Sequence, residues 1–311
     1  MGVRISPSVP TGHFMENRNL DKPTSATCPA CGAAGATPWK TLERTALLQC
    51  GNCTCIFIPR SSYGADPTAQ YERDETARAG YYEASAATDR SNFTRTLEIA
   101  ERFVSPKNGG RTVLDVGTNI GTFLAVARER GWRGVGIEPN PVALRSALSK
   151  NLDVHKGFFG DASLGELANG GGKFDMVHMG DVIEHVFDPV GFLKNASRTL
   201  RPGGILLVVT PDIDRFFARL FQLKPREHLV YFNGKSMAIA LRRAGFKPVL
   251  MESQRRFRDI GNVRRSTTKL NPIFKSIAIV ASIPPFGPIL KYLAFFLIKD
   301  ELLAVAKKES V

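Results

Sequence analysis

From residue 111 onward the chain alternates short apolar runs with stretches of helical periodicity, and this alternation constrains its architecture most. The runs 111–117 (RTVLDVG), 134–138 (GVGIE), 153–159 (DVHKGFF), 174–180 (FDMVHMG), 205–210 (ILLVVT), 247–253 (KPVLMES) and 301–308 (ELLAVAKK) read as strands. Helical stretches fall between them at 120–130, at 141–150 behind a proline at the first helical position, near 190–200, and at 235–244. Arg201-Pro202-Gly203-Gly204 reads as a turn into the 205–210 strand. Strands alternating with helices build βαβ units and a mostly parallel sheet with helices on both faces.

All five cysteines of this 311-residue chain lie between positions 28 and 55. Cys28-Pro-Ala-Cys31 and Cys50-Gly-Asn-Cys53 are two C-x-x-C knuckles separated by 18 residues. Two knuckles supply four thiolates that close a tetrahedron, the ligand set of structural Zn²⁺; iron fits the same four sulfurs. Four protein ligands leave no open coordination position, so the metal is expected to be structural and to supply much of the module's folding energy. Gly32 and Gly51 are expected to make the sharp turns around it, with Cys55 as a spare residue on a strand.

The balance of 42 Lys and Arg against 29 Asp and Glu gives a formal charge of +13, which favours anionic partners. Between the knuckles, however, only Lys40 and Arg44 are basic, a thin footprint for nucleic acid. Residues 91–104 read as an amphipathic helix on Phe93, Leu97, Ala100 and Val104. The first residues lack the apolar core of a secretory signal, and the apolar stretch 276–290 is broken by Pro284, Pro285 and Pro288, so a cytoplasmic protein is expected. Arg255, Arg256, Arg258, Arg264 and Arg265 form a basic run before the apolar segment 271–298. That pairing fits a helical cap, a homodimer face, or peripheral contact with an anionic inner-membrane face.

VLDVGTNIGTFL is a strand, a glycine turn and a helix start. Asp115 stands at the strand's carboxyl end, and Gly117 and Gly121 let the backbone turn tightly beside a ligand. Glu138 ends the next strand, where a carboxylate can accept two hydrogen bonds from a ribose diol. The G-x-G-x-x-G dinucleotide fingerprint is broken by Asn119 at its middle position, and a cofactor without a pyrophosphate needs fewer glycines. Asp181, Glu184 and His185 follow the strand 174–180. His178, alternating with Val177 and Met179, reads as a core histidine.

With FDMV–IEHV and LRPGG at the expected distances, this set resembles the class I S-adenosylmethionine-dependent methyltransferases over about residues 108–254 plus the last strand. The resemblance implies a Rossmann-like methyltransferase fold with a mostly parallel seven-stranded sheet. It implies that Asp115, Gly117 and Gly121 hold the methionine end of the cofactor, Glu138 the ribose hydroxyls and Asp161 the adenine amine. Met179 and Asp181 would line the wall beside the sulfonium. Thr118-Asn119 departs from the family's common Cys-Gly, and Asn119 can supply the left-handed conformation needed there.

The segment 224–232, KPREHLVYF, is similar to the E-H-L-x-Y-F stretch of methyltransferases from sugar and cell-surface glycan pathways, some with an N-terminal zinc module. This implies a nucleotide sugar or lipid-linked glycan as acceptor, with O-methylation favoured over C-methylation. His228 or His185 would serve as general base and Glu227 would orient His228. Tyr71, Tyr81 and Tyr82 match the tyrosine-rich link of such proteins. The expected organisation is a flexible tail (1–24), a zinc ribbon (25–60), a helical linker (61–107), the cofactor-binding domain (108–254), a basic and apolar cap (255–299), and the last strand with its tail (300–311). An RNA or protein methyltransferase that uses the ribbon to bind substrate, and an inactive binding module with a damaged cofactor loop, are the alternatives.

Overall fold

The computed structural model describes residues 26–62, 76–105, 111–160, 174–257 and 299–309. The expected tail 1–24, Tyr71, Asp161, Arg258, Arg264, Arg265 and the apolar segment 271–298 lie outside the described residues, as does the side chain of Tyr81.

The chain begins with three short strands, β1 (Thr37–Leu42), β2 (Thr45–Gln49) and β3 (Ile56–Phe57). β1 and β2 form a hairpin whose two turn residues, Glu43 and Arg44, are both left-handed, the geometry of a tight twisted hairpin. The long helix α1 (Thr76–Glu101) follows, then β4 (Arg111–Val116), α2 (Thr122–Glu129), β5 (Trp132–Glu138), α3 (Pro141–Ser149) and β6 (Asp153–Lys156). The second half holds β7 (Phe174–Gly180), α4 (Pro189–Thr199), β8 (Leu200–Pro211), α5 (Phe216–Phe221), β9 (Val230–Tyr231), α6 (Gly234–Arg243), β10 (Phe246–Arg255) and β11 (Lys299–Lys308).

Seven strands form one sheet in the order β10-β11-β8-β7-β4-β5-β6. The five from β8 to β6 are parallel, and β11 runs antiparallel between β8 and β10. Parallel strands buried on both faces are apolar almost without interruption. Side chains alternate between two cores accordingly. Val113, Met176, Ile205, Leu207 and Leu303 pack with α1, α2 and α3, while Leu114, Val177, Leu206, Val208 and Leu302 pack with α4 and α6. Each such Leu, Ile or Val contributes about 1.5–3 kcal/mol of burial. The result is the Rossmann-like sheet expected, with helices on both faces.

Three details differ from the sequence reading. The expected turn at 201–204 lies inside β8: pairing with β7 jumps from Phe174–Leu200 to Met176–Ile205, and Gly203 at φ +71° takes up the extra residues as a bulge. The helix expected at 91–104 begins at Thr76 and closes at Glu101, whose carboxylate binds Arg130, Trp132 Nε1 and Arg111. The cysteine segment also makes a sheet with a strand from far along the chain. β3 pairs with β9, giving the order β1-β2-β3-β9. Cys28, Cys50 and Cys53 are buried in the same core as Val230, Phe232 and Met237.

Candidate functional site

The two knuckles are near copies of each other. In the first, Gly32 N donates to Cys28 O and Cys28 N to Ala33 O; in the second, Thr54 N donates to Cys50 O and Cys50 N to Cys55 O. The left-handed residue follows the second cysteine each time, so it is Gly32 and Thr54 (φ 78° and 60°) rather than Gly32 and Gly51. Thr54 tolerates this because its neighbours hold it: its hydroxyl donates to Cys53 O and accepts from Asn233 Nδ2. Donor atoms of Cys28, Cys31, Cys50 and Cys53 all lie within 4.8 Å of one another, with Sγ–Sγ distances of 3.6 Å for Cys28–Cys53 and 3.5 Å for Cys31–Cys50. A zinc ion about 2.3 Å from four sulfurs requires edges of about 3.8 Å. The four cysteines therefore fit structural zinc. Cys55 is buried outside the set, its thiol against Ile56 O and Tyr231 O. α6 carries the module at both ends: Lys235 Nζ donates to Asn52 O, and Arg243 Nη1 to Ala30 O.

The glycine turn stands at the carboxyl ends of β4 and β5. Gly117, Asn119 and Gly121 are all left-handed, with φ of 72°, 54° and 82°. A Cβ on Gly117 would lie 2.7 Å from Val182 Cγ2, so only glycine lets the turn abut the loop after β7. Asn119 meets the expectation for its backbone, and its Oδ1 accepts from Ile120 N. The Glu138 carboxylate, 6% exposed, spans the opening of this turn. One oxygen accepts from Asn119 N and the other from Asn140 N, each at 2.7 Å. Burial, with Asp115 adding, pushes its carboxyl up to about 7 against the pull of those two N–H groups. A carboxylate oxygen has two lone pairs, so each retains acceptor capacity toward a diol.

Asp115 and His178 are register partners on β4 and β7, and their side chains meet at 2.7 Å. Both are buried, and His178 stacks on Phe123 with ring centroids 3.7 Å apart. His178 is a core residue as expected, but one that binds a candidate cofactor residue. Their identical register was the signal for this contact, visible only once β4 and β7 are known neighbours. Asp115 Oδ2 has no partner among the described residues. An unpartnered buried carboxylate oxygen beside a left-handed glycine turn, with Glu138 across it, fits a small cofactor carrying amine and hydroxyl donors.

The loop after β7 makes the other wall. Asp181 is left-handed (φ 54°), and its carboxylate binds Arg256, which also reaches Glu301 and Asp89. Arg256 of the predicted basic run is thus a staple for three carboxylates. Met179 is fully buried in the core facing α4 and α6, on the opposite sheet face from Asp115 and His178. Glu184 and His185 occupy a 3-10 turn, Ile183–His185. Leu229 N donates to Glu184 O, which seats the segment 227–229 against that turn. The rings of His185 and His228 meet edge to face with centroids 4.9 Å apart. His185 Nδ1 bonds Glu227 O and His228 Nδ1 bonds Gln222 O. Glu227 therefore positions His185 through its carbonyl, whereas the expected partner was His228. Burial holds both rings below the usual histidine range, with the charges of His185 and Lys224 adding for His228. Burial and Asp181 push the Glu184 carboxyl up to about 8. The sequence reading marked Glu184 only in passing. Its helical spacing from Asp181 was a weak signal that the 3-10 turn makes concrete.

Residues 87–250 match the family model described as a methyltransferase domain. Two curated relatives illustrate the range of the match. A Mycobacterium sp. (strain KMS) protein named uncharacterized methyltransferase is 32% identical over 139 residues, 45% of this chain and 52% of that protein. The ubiquinone biosynthesis O-methyltransferase of Caulobacter vibrioides is 33% identical over 105 residues, 32% of this chain and 41% of that protein. The chain spans about half the length of the curated relatives it matches. Among solved structures, a SAM-dependent methyltransferase from Archaeoglobus fulgidus aligns with TM-score 0.50 and 18% identity, over 73% of this chain and 99% of that one. That likeness is one of fold. No helix among the described residues is long and apolar enough to cross a membrane.

Proposed function

The chain belongs to the methyltransferase-domain family, and from that premise we propose that it transfers a methyl group from S-adenosylmethionine to a hydroxyl of a carbohydrate-type acceptor, a nucleotide sugar or lipid-linked glycan. The observation that carries the cofactor half is the left-handed turn Gly117–Asn119–Gly121 closed by Glu138, beside the unpartnered oxygen of Asp115. In this reading Asp115, Gly117, Asn119 and Gly121 hold the cofactor's methionine end and Glu138 takes the ribose diol. Asp161 takes the adenine amine and Asp181 stands beside the reacting sulfur, whereas Met179, expected there, is packed in the core under that wall. The cofactor supplies an electrophilic methyl on a sulfonium. The chain's own task is to align the acceptor oxygen behind that methyl and to handle its proton.

Proton handling falls to His185 and His228. His228 is buried and His185 half-buried, each with Nδ1 held by a backbone carbonyl, so Nε2 is the basic nitrogen of each neutral ring. Glu227 positions His185. The support for a carbohydrate acceptor is the resemblance of the E-H-L-V-Y-F segment to that of sugar and glycan methyltransferases; the same segment carries His228 and pairs with the cysteine module. A phenolic hydroxyl is the second reading, favoured by the relatives named ubiquinone biosynthesis O-methyltransferase.

The test is transfer of labelled methyl from S-adenosylmethionine to a panel of nucleotide sugars and of ortho-diphenols. Turnover on a nucleotide sugar that His228→Ala lowers at least 100-fold is the expected result. Turnover confined to the diphenols selects the second reading. A folded, zinc-loaded protein that binds no S-adenosylhomocysteine overturns both.

A further inference from the structure

We propose that Glu184, His185 and His228 form a second metal site, distinct from the four cysteines, for one divalent first-row cation such as Mn²⁺. One ligating atom from each of the three lies within 4.8 Å of the others. Glu184 is 1% exposed, and its Oε1 has no partner among the described residues, while Oε2 accepts from Thr210 Oγ1 at 2.9 Å. A buried carboxylate within reach of two imidazoles, with one oxygen that no donor satisfies, asks for a cation.

The surrounding bonds match those of a ligand set. Metal-bound histidines as a rule donate their other ring nitrogen to a carbonyl or carboxylate, which fixes tautomer and orientation. Both histidines do so here, to Glu227 O at 2.7 Å and Gln222 O at 2.9 Å. The ligands come from two segments locked together by the Leu229 N to Glu184 O bond of 2.7 Å. Two neutral nitrogens and one carboxylate suit Mn²⁺, Fe²⁺, Co²⁺ or Zn²⁺ better than Ca²⁺ or Mg²⁺. Three protein ligands leave coordination positions open to outside oxygen atoms. Resting on the methyl-transfer reading, such a position would receive the acceptor hydroxyl and make it acidic enough to release its proton to solvent, and with the cation bound the two rings would serve as its ligands in place of the proton-accepting role given above.

The experiment uses the full chain with zinc in its thiolate site, titrated with Mn²⁺ while the electron paramagnetic resonance signal of free Mn²⁺ is followed. One saturable equivalent is expected, weakened at least tenfold in Glu184→Gln and in His228→Gln. Zinc content and S-adenosylhomocysteine affinity serve as the measures that the variants fold. His185→Gln provides a further variant should one of these fail that control. Absence of saturable Mn²⁺ binding, or equal affinity in wild type and folded variants, overturns the proposal. Retained Mn²⁺ binding in a protein that binds no S-adenosylhomocysteine upholds the site and overturns the cofactor reading instead.

Discussion

Glu138 makes cofactor binding depend on pH. Its carboxyl is pushed up to about 7, first by burial and then by Asp115. A ribose diol donates two hydrogen bonds and therefore selects the ionised form. If only that form binds, the apparent Kd scales as 1 + 10^(7 − pH), a factor of about 11 at pH 6 and about 1.1 at pH 8. S-adenosylhomocysteine should thus bind about tenfold more weakly at pH 6 than at pH 8, a difference of about 1.4 kcal/mol. The sign for folding is opposite. A carboxyl raised above its unfolded value favours the folded state below the unfolded pKa, and that contribution is lost as pH rises through about 7. Isothermal titration at pH 6, 7 and 8 reads the binding directly. Glu138→Gln, which does not titrate and offers one acceptor oxygen where the acid uses two, should bind at least tenfold more weakly at pH 8 and show no pH profile. A wild-type Kd constant within twofold from pH 6 to 8 would refute the reasoning, because Glu138 would then be ionised throughout or would not touch the ligand.

Gly117→Ala forces a side chain into a φ of +72° with its Cβ 2.7 Å from Val182 Cγ2. Urea denaturation should show a loss of about 1–3 kcal/mol, and S-adenosylhomocysteine binding should fall more than tenfold. Chelating the thiolate-bound metal, or replacing Cys50 by Ser, should lower the melting temperature of the whole chain in one transition, since β3 pairs with β9. A separate early transition followed by an unchanged main one, in circular dichroism, would show the cysteine module to be independent. Arg256→Met removes the guanidinium that pairs with Glu301, whose side chain is 3% exposed, and with Asp181 and Asp89. A cost of about 3 kcal/mol is expected in equilibrium unfolding, with stability unchanged by the substitution as the contrary result.

Local pattern made the central sheet legible, because strands buried on both faces announce themselves as apolar runs and the helices between them carry their own caps. Asn140 caps α3 ahead of Pro141, and Asn233 with Ser236 forms a capping box on α6. The four cysteines were legible for the same reason, since knuckle spacing is a local property. What stayed hidden depends on contacts between distant residues. The pairing of β3 with β9 joins positions 56–57 to 230–231, strands too short to show periodicity. The Asp115–His178 contact needs the order of β4 and β7, and the Glu184–His185–His228 cluster needs the chain to return to the end of β7 some forty residues later. Gly51 lies in the second knuckle's turn as expected, but the left-handed position there, after the cysteine pair, is Thr54, with Asn233 in support.

The position of β11 also bears on how the chain can be made. β11 comes after β10 in sequence yet lies between β10 and β8. A ribosome that has just finished β10 therefore carries a sheet ending at β8, with the edge of that strand bare and β10 lacking the neighbour it will have. Five parallel strands can assemble while synthesis proceeds, but the sheet cannot be completed until residues 299–308 emerge and slide between two strands already made. That interval leaves the apolar edge of β8 and the backbone of β10 unpaired at once, which is the condition for misassembly with a second nascent chain. Removing β11 would leave this unfinished state permanent, so a chain ending before Lys299 should aggregate during synthesis even with every candidate site residue present.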